Sequence, residues 1–464
     1  MIDSIQLKNR FDAAGQGHVF QYISELSLTE TNEFFEDLAS IPVERIAGYL
    51  DAACQSSHDN QWTHVTPWIS QSLQEISPTT TPTTTTTTTT ATMLGLHAIQ
   101  HSTVAAIVLA GGQGTRLGFD GPKGKYDIGL STGHTLFQLM AERILKLSQI
   151  ATAPTTIPFY IMTSPLNHKE TEQYMKDNHN FGLDHVQCFP QGMLPCLTPD
   201  GKIIMESKHN IAMAPDGNGG IYPAMLHSGI LNHMIQNGIQ YVHVFSIDNA
   251  LILPADPAFI GYCIQQQADC ANKVVPKSQP QEAVGVMAMN SQGKPCIVEY
   301  SDMTQEMTEL THPDGSLVYG AANICNHCFS INFLQHVVLP NMGSLYHIAN
   351  KAIPTFNPDT GETTTTQGLK LETFIFDVFP LTTSMAILPI QRQEEFAPVK
   401  NATGVDSPAT ARDLLSARSR AWIEKAGGII QNEGIVEIAP RTSYGGEGLE
   451  LLVQGKVFTC PVIL

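Results

Sequence analysis

The chain is poor in charged residues, and most of its charge is of one sign. Charged residues make up 15% of the 464, with 43 acidic against 25 basic side chains and a formal net charge of -18. Such an anionic surface is unsuited to the phosphate backbone of nucleic acids or to acidic membranes, so we expect neither as a partner. A small phosphate-bearing substrate is not excluded, because it needs only a few cations inside a cleft.

The chain also lacks long apolar runs and a paired cysteine pattern. No segment approaches the roughly 20 apolar residues of a membrane-spanning helix, and the first residues show no apolar core of a secretory signal. The nine cysteines are scattered, which is typical of reduced thiols, so we expect a cytoplasmic protein. Cys325 and Cys328 form a C-x-x-C without a second pair, and we interpret them as packing residues rather than zinc ligands.

The length predicts two or three domains, since 464 residues exceed one ordinary core. The first residues carry helix-like patches without a chemical motif, so we expect a mostly helical domain at 1–100. Within the first domain, residues 78–92 are nearly all threonine. This tract has no apolar face to offset the entropy lost on ordering, so it is predicted to be an exposed linker.

Hydrophobic patterning becomes regular after residue 102. A continuous apolar run at 104–110 predicts a strand buried on both faces, and mainly apolar segments at 157–162 and 241–247 predict further strands. Apolar spacing predicts helices at 135–147 and at about 222–237. This alternation predicts an α/β fold, with a doubly wound, mainly parallel sheet of the Rossmann-like kind. Active sites of such sheets lie beyond the carboxyl ends of the strands.

A glycine-rich turn, LAGGQGTRLG, follows the first predicted strand. Gly111, Gly112 and Gly114 permit close approach of the backbone, whose amides can bind phosphate oxygens. Arg116 adds a guanidinium group suited to phosphates. The dinucleotide fingerprint fails, because Leu117 stands where a third glycine is needed, and no Walker A pattern is present. The turn therefore predicts a phosphate site of another kind.

A lysine and an aspartate complete this prediction. Lys123 lies seven residues past Arg116, where it could reach the α-phosphate of a nucleotide. Asp248 directly follows the predicted strand 241–247, a position suited to holding Mg²⁺ against triphosphate oxygens. Taken singly, such a lysine is usually a solvated surface charge, and the aspartate is equally well a loop carboxylate.

Eight blocks in one order resemble the eukaryotic UDP-N-acetylglucosamine pyrophosphorylase family. They are LAGGQGTRLG with PKGKYD, QGMLPCL, MAPDGNGGIY, the Asp248-Asn249 pair, VEY, GLKLETFIFD, APVKNA and SYGGEGLE. The resemblance runs from about residue 105 almost to the carboxyl end. It implies a central catalytic nucleotidyltransferase domain, expected at 101–390, between a smaller amino-terminal domain at 1–100 and a carboxyl-terminal domain at 391–464. Such a domain acts on UTP and a sugar 1-phosphate.

The resemblance also implies the site residues. Nucleotide contacts would come from Leu109, Ala110, Gly111, Gly112, Gly114, Lys123, Gln191, Gly217, Asp248 and Lys370. Sugar-phosphate contacts would come from Asn218, Gly285, Glu299, Tyr300, Asn323 and Lys400. Arg116, Lys123 and Lys400 would be catalytic, and Asp248 would hold Mg²⁺, with Mn²⁺ as an alternative. The glycines around Asn218 are expected to let backbone approach a ligand.

The implied reaction joins UTP and N-acetylglucosamine 1-phosphate to give UDP-N-acetylglucosamine and pyrophosphate, by in-line attack on the α-phosphate. Three alternatives remain: a broader enzyme making UDP-glucose, UDP-galactose or UDP-N-acetylgalactosamine, a catalytically silent sugar-nucleotide sensor, and an NAD-dependent oxidoreductase. Arg116, Lys123 and Asp248 are all present, which disfavours the sensor. The failed dinucleotide fingerprint disfavours the oxidoreductase.

Overall fold

The structure, a computed structural model, describes residues 3–58, 65–68, 85–342 and 345–464. The chain forms two compact units. The smaller unit contains Met1–His64, Gln191–Ala224 and Leu339–Val378, and the larger unit contains Val65–Pro190, Met225–Val338 and Phe379–Leu464. The domain limits near residues 100 and 390 divide the chain along its length and stay predictions.

The α-helices of the described residues are α1 Ser4–Ala13, α2 Leu28–Ser40, α3 Val43–His58, α4 Thr85–Gln100, α5 Leu136–Ile150, α6 His168–Asp177, α7 Ile221–His227, α8 Ile230–Gln236, α9 Pro257–Gln265, α10 Gln305–Glu309, α11 Ile331–Phe333, α12 Leu339–Asn341, α13 Arg392–Glu395, α14 Pro408–Lys425 and α15 Glu450–Val453. Short 3₁₀ turns lie at Gly17–Phe20, Ile23–Glu25, Thr115–Leu117, Lys123–Lys125, His179–Gly182, Asn218–Gly220 and Ile375–Leu381, and a π-helical turn lies at Leu334–Val338.

The strands are β1 Thr66–Pro67, β2 Val104–Leu109, β3 Phe159–Thr163, β4 Val186–Pro190, β5 Met193–Pro195, β6 Met213–Pro215, β7 Tyr241–Ser246, β8 Cys270–Pro276, β9 Val286–Met289, β10 Pro295–Val298, β11 Ala321–Ser330, β12 His347–Phe356, β13 Thr363–Glu372, β14 Met385–Pro389, β15 Ile429–Ile430, β16 Val436–Glu437, β17 Val457–Phe458 and β18 Val462–Ile463.

The smaller unit packs α1, α2 and α3 against antiparallel strands. Strand β12 pairs with β13 along its whole length, and β5 pairs with β6. Helix α2 begins at a capping box, in which the Ser27 hydroxyl accepts from the Glu30 amide and the Glu30 carboxylate accepts from the Ser27 amide. Phe11 on α1, Phe34 on α2 and Leu371 on β13 belong to one core, so the helices and the β12–β13 pair bury their apolar faces against each other.

The larger unit is built on a sheet that has ten strands in the described part of the chain. In one part of this sheet β7, β2, β3 and β4 are parallel neighbours in that order, with β4 at the edge. Every residue of β2 is buried, as expected for a strand covered on both faces. The predicted α/β fold with a parallel sheet is therefore confirmed. Antiparallel pairing of β11 with β7 and β8 extends the sheet and was not predicted.

The threonine tract differs from its prediction. Residues 78–84 lie outside the described residues, but α4 begins at Thr85, so the threonines up to position 92 are helical rather than part of a loop. Helix α4 packs closely against α9, because Gly95 lies against the backbone of Pro257 and Gly261 lies against the carbonyl of Ala91. Tertiary packing of small residues thus outweighs the weak helix propensity of threonine.

The predicted helix at 222–237 is two helices. Gly229, with φ of 76°, ends α7 and starts α8 in the left-handed conformation. Among the described residues no helix combines the length and the apolar character needed to cross a bilayer.

Candidate active site

The glycine turn directly follows β2 and folds back on the segment that carries Lys123. The Gly114 amide donates to the Gly121 carbonyl at 2.9 Å, and the Lys123 amide donates to the Gly112 carbonyl at 3.2 Å. A Cβ on Gly112 would meet nothing within 4 Å, whereas a Cβ on Gly114 would lie 2.7 Å from the Phe119 ring. Gly112 therefore leaves its outer surface open to a ligand, and Gly114 allows the turn to pack.

A buried asparagine fixes the start of this turn. The Asn167 side chain is fully buried and donates to the carbonyls of Ala110 at 3.0 Å and Gly112 at 3.4 Å. Its own oxygen accepts from the Ser164 amide at 2.9 Å. Sequence reasoning missed Asn167, although it lies in the loop after β3, where the carboxyl-end rule for parallel sheets directs attention.

Lys123 and Asp248 lie side by side, at the ends of the glycine turn and of β7. Lys123 Nζ is 4.0 Å from Asp248 Oδ2, and their side chains are 14% and 19% exposed. Burial lowers the pKa of Lys123, the Asp248 charge opposes this, and the nearby cations Lys400 and Arg116 lower it further. The structure thus brings together all three predicted catalytic cations and the predicted metal ligand, within the larger unit.

Backbone pairing holds the segment that carries Lys400 beside Asp248. The Val399 amide donates to the Asp248 carbonyl at 2.9 Å. The buried Asn249 side chain accepts from the Ala397 amide at 2.9 Å and donates to the Glu395 carbonyl at 2.7 Å. Asp248 and Lys400 are therefore placed by one hydrogen-bonded pair of segments.

A tight loop then presents the Lys400 ammonium group. The Lys400 amide donates to the Asp406 carbonyl at 2.7 Å, and Lys400 Nζ lies 3.9 Å from Asp406 Oδ2. Burial raises the pKa of Asp406, and the Lys400 charge opposes the shift. Cys325 also lies near Asp248 and Lys400. Burial raises the pKa of its thiol to about 12; the Asp248 charge adds to this shift and the Lys400 charge opposes it. The thiol is therefore protonated at neutral pH.

Three of the residues expected at the sugar lie together where β9, β10 and β11 begin or end. The Asn323 amide donates to the Gly285 carbonyl at 2.8 Å. A Cβ on Gly285 would lie 2.6 Å from Glu299 Oε1, so the glycine makes room for that carboxylate. Tyr300, the next residue, is 55% exposed. These residues belong to the larger unit.

The other predicted contacts, Gln191, Gly217, Asn218 and Lys370, belong to the smaller unit. Gly217 has φ of 87° and precedes the 3₁₀ turn Asn218–Gly220. The Asn218 side-chain oxygen accepts from the Ile375 amide at 2.9 Å. Lys370 lies on β13 opposite Ala349, and Gln191 is buried at the end of β4.

Packing within the smaller unit already requires two of the glycines around Asn218. The Gly219 amide donates to the Thr373 carbonyl at 2.9 Å, and a Cβ on Gly219 would lie 2.7 Å from Thr373 Oγ1. A Cβ on Gly217 would collide with the Thr373 carbonyl. Close packing of the protein's own segments therefore excludes side chains at these two positions, and the expected approach of a ligand to this turn stays a prediction.

A parallel α/β sheet with a glycine turn, clustered cations and a carboxylate beyond the strand ends defines a nucleotide-binding α/β protein. The sequence model of the family described as UTP–glucose-1-phosphate uridylyltransferase matches residues 49–442, and the chain belongs to this family.

Named relatives cover nearly the whole chain. UDP-N-acetylglucosamine diphosphorylase 2 of Arabidopsis thaliana is 40% identical over an alignment of 476 positions, gaps included, which covers 98% of this chain and 93% of that protein. UDP-N-acetylglucosamine pyrophosphorylase of Saccharomyces cerevisiae is 36% identical, over 99% of this chain and 98% of the yeast protein.

Solved structures agree on the fold. The crystal structure of the uridine diphosphate N-acetylglucosamine pyrophosphorylase from Trypanosoma brucei in complex with inhibitor superposes with a TM-score of 0.84 at 29% identity, covering 97% of this chain and 95% of that one. A UDP-glucose pyrophosphorylase mutant from Leishmania major reaches 0.61 at 18% identity, which shows the shared fold alone.

Proposed function

We propose that this protein is a UDP-N-acetylglucosamine pyrophosphorylase, which converts UTP and N-acetylglucosamine 1-phosphate to UDP-N-acetylglucosamine and pyrophosphate. The observation that carries the proposal is the cluster of Asp248, Lys400 and Arg116 around Lys123, beside an open glycine turn. The sugar is proposed from the relatives, several of which are named for N-acetylglucosamine and cover 98% or more of the chain.

The proposed chemistry needs alignment and charge neutralisation more than proton transfer. A phosphate oxygen of the sugar 1-phosphate, already an anion, forms a bond to the α-phosphorus of UTP. The bond from that phosphorus to the oxygen bridging to the β-phosphate breaks, and pyrophosphate leaves with the electron pair. Lys123 offsets charge at the α-phosphate, while Arg116 and the glycine-turn amides hold the leaving group.

The donor set beside Lys123 fits a magnesium ion bound together with substrate. Mg²⁺ in phosphoryl-transfer sites commonly uses one or two carboxylates and completes its shell with phosphates and water. Asp248 supplies one carboxylate, and no group of three or more potential ligands from His, Cys, Asp and Glu occurs among the described residues. When bound, Mg²⁺, or Mn²⁺ in its place, would neutralise phosphate charge next to Asp248.

Pyrophosphate release by the purified protein tests the proposal. UTP and Mg²⁺ are supplied with N-acetylglucosamine, N-acetylgalactosamine, glucose or galactose 1-phosphate, each with and without EDTA. We expect fast, EDTA-sensitive release with N-acetylglucosamine 1-phosphate and little with glucose 1-phosphate. Equal rates with glucose or galactose 1-phosphate would move the protein to the broader UDP-sugar class, and no release with any sugar would overturn the enzymatic proposal.

A cytoplasmic location is also proposed. All nine cysteines are free thiols in the structure, as is usual for proteins of a reducing compartment.

A further inference from the structure

Asp216 lies in the smaller unit, between β6 and the 3₁₀ turn that begins at Asn218. Its side chain is buried, with the residue 8% exposed. Its amide donates to the Gly192 carbonyl at 3.2 Å, and its carbonyl accepts from the Thr373 amide at 2.8 Å and the Thr373 hydroxyl at 3.1 Å. The Asp216 backbone is therefore fixed by both neighbouring segments.

The Asp216 carboxyl group occupies the space left open by two glycines. A Cβ on Gly192 would collide with Oδ2, and a Cβ on Gly220 would lie 2.5 Å from Cγ and collide with Oδ1. Neither glycine has a positive φ, so neither is required by its backbone conformation. The missing side chains instead admit the carboxyl group, which separates the turn at Gly192 from the turn at Gly220.

This arrangement is unfavourable for stability. Oδ1 of Asp216 is buried and has no hydrogen-bond partner among the described residues. Burial raises the pKa of Asp216 to about 7, although the amides of Asp216 and Gly192 lower it. A buried carboxyl group without full hydrogen bonding destabilises the fold, and an apolar side chain would fill the space at lower cost. The contribution of Asp216 must lie elsewhere.

We propose that Asp216 is a positioning residue, whose carboxyl group holds the turn that carries Gln191 and the turn that carries Asn218 at a fixed separation. Gln191 directly precedes Gly192, and Asn218 lies two residues before Gly220. The inference rests on the proposed function and on the expected contacts of Gln191 with the nucleotide and of Asn218 with the sugar phosphate. The two turns then bind the two halves of the product in one geometry.

A steric double-mutant cycle tests the geometry without any activity measurement. Gly192→Ala alone introduces a collision with Asp216, so we expect it to lower Tm. In the Asp216→Ala background the carboxyl group with which the new methyl group would collide is absent, so Gly192→Ala should lower Tm little or not at all. The matched control is Gly48→Ala on α3 of the same unit, because a Cβ on Gly48 would meet nothing within 4 Å. The change in Tm caused by Gly48→Ala should add to the change caused by Asp216→Ala. Additive losses of Tm for Gly192→Ala and Asp216→Ala would overturn the proposal.

A kinetic cycle tests the consequence for binding. Asp216→Ala should lower kcat/KM by about 100-fold, because small misplacements of binding groups have effects of that size, with KM rising for both substrates. Asp216→Asn keeps the shape of the carboxyl group and should restore most of the loss at pH 7. In a Gln191→Ala background, Asp216→Ala should cost much less than in the wild type, since the residue it positions is absent.

Each outcome of the kinetic cycle decides between positioning and general support of the fold. Equal losses from Asp216→Ala in the wild-type and Gln191→Ala backgrounds, or failure of Asp216→Asn to restore kcat/KM in a folded protein, would overturn the proposal. If the wild-type protein releases no pyrophosphate, the proposed function fails instead. The Tm cycle still reports on the carboxyl group in that case, so the two failures are distinguishable.

Discussion

At the scale of single residues, replacement of Lys123, the lysine beside the glycine turn, tests the proposed mechanism most directly. Lys123 is mostly buried next to Asp248, and burial lowers its pKa. Lys123→Met keeps the aliphatic stem and removes the charge, so kcat should fall by roughly 10²- to 10³-fold. Tm should change little, because the burial cost of the cation and its attraction to Asp248 are lost together. Pyrophosphate release and thermal unfolding measure the two effects.

The neighbouring lysine of the same 3₁₀ turn is the matched control for Lys123. Lys125 forms an ion pair with Glu170 at 2.6 Å on the partly exposed side of the turn. Lys125→Met should leave kcat within about twofold, since its ammonium group pairs with Glu170, and should change Tm little, because a partly exposed ion pair contributes little to stability. A Lys123→Met enzyme with wild-type kcat would remove this lysine from the proposed mechanism.

The buried carboxyl group of Asp216 predicts a pH-dependent stability. Its pKa rises from 3.8 to about 7 on folding. Tyr346 is a titratable group nearby, and its pKa is raised by burial and further by the charge of Asp216. Below pH 3.8 the carboxyl group is neutral in both states. As the pH rises to 7, the folded state binds a proton that the unfolded state has released, so up to roughly 4 kcal/mol of stability is lost.

Asp216→Asn removes this titration while keeping the shape of the side chain. We expect the Tm of the wild type relative to Asp216→Asn to fall between pH 5 and pH 8, with most of the change below pH 7. Thermal unfolding of both proteins in parallel buffers measures the difference. A constant gap across this range would show that the carboxyl group is already ionised when the protein is folded at pH 5.

At the scale of elements, the hydrophobic pattern of a segment predicted those strands whose burial depends mainly on their own residues. Strand β2 follows from a continuous apolar run, and its burial on both faces matches that signal. Helix α4 could not be predicted in the threonine tract, because its close contact with α9 depends on Gly95 and Gly261, far apart in the chain. The antiparallel pairing of β11 with β7 and β8 also depends on tertiary contacts and is not specified by the residues of β11 alone.

The pairing of the segment after β7 with the segment that carries Lys400 gives a prediction at this scale. Asn249→Ala removes the side chain that bonds to Ala397, Leu251 and Glu395. Buried polar groups left without partners cost about 1–3 kcal/mol each, so Tm should fall. We expect kcat to fall at least tenfold as well, because Asp248 and Lys400 lose their register.

The control for Asn249 is an asparagine whose hydrogen bond is local and exposed. Asn237 donates to the His233 carbonyl one helical turn earlier, at 2.8 Å. Asn237→Ala should change Tm only slightly and leave kcat unchanged. A large loss of Tm in Asn249→Ala with kcat intact would show that the asparagine supports the fold without placing the catalytic groups.

At the scale of the whole molecule, the sequence indicated where the site lies better than what holds it together. Lys123 and Asp248 could be found because each follows a strand whose carboxyl end meets the same edge of the sheet. Asn167 and Asp216 could not be recognised as structural supports, because Asn167 bonds to carbonyls more than fifty residues away and Asp216 depends on the absence of side chains at two glycines.

Ligand-linked stability gives the last prediction, which concerns the whole folded chain and needs no turnover. A ligand that binds only the folded state raises its stability by about 2.7 kcal/mol at 100 times Kd, so UTP with Mg²⁺ should raise Tm more than UTP with EDTA. If Asp248 holds the ion, Asp248→Asn should lose this EDTA-sensitive increment and keep the metal-independent shift from UTP. Asp314→Asn, in an exposed turn of the same unit, should behave as the wild type. An undiminished EDTA-sensitive increment in Asp248→Asn would place the metal on other ligands, because the fit of Mg²⁺ to this cluster depends on that one carboxylate.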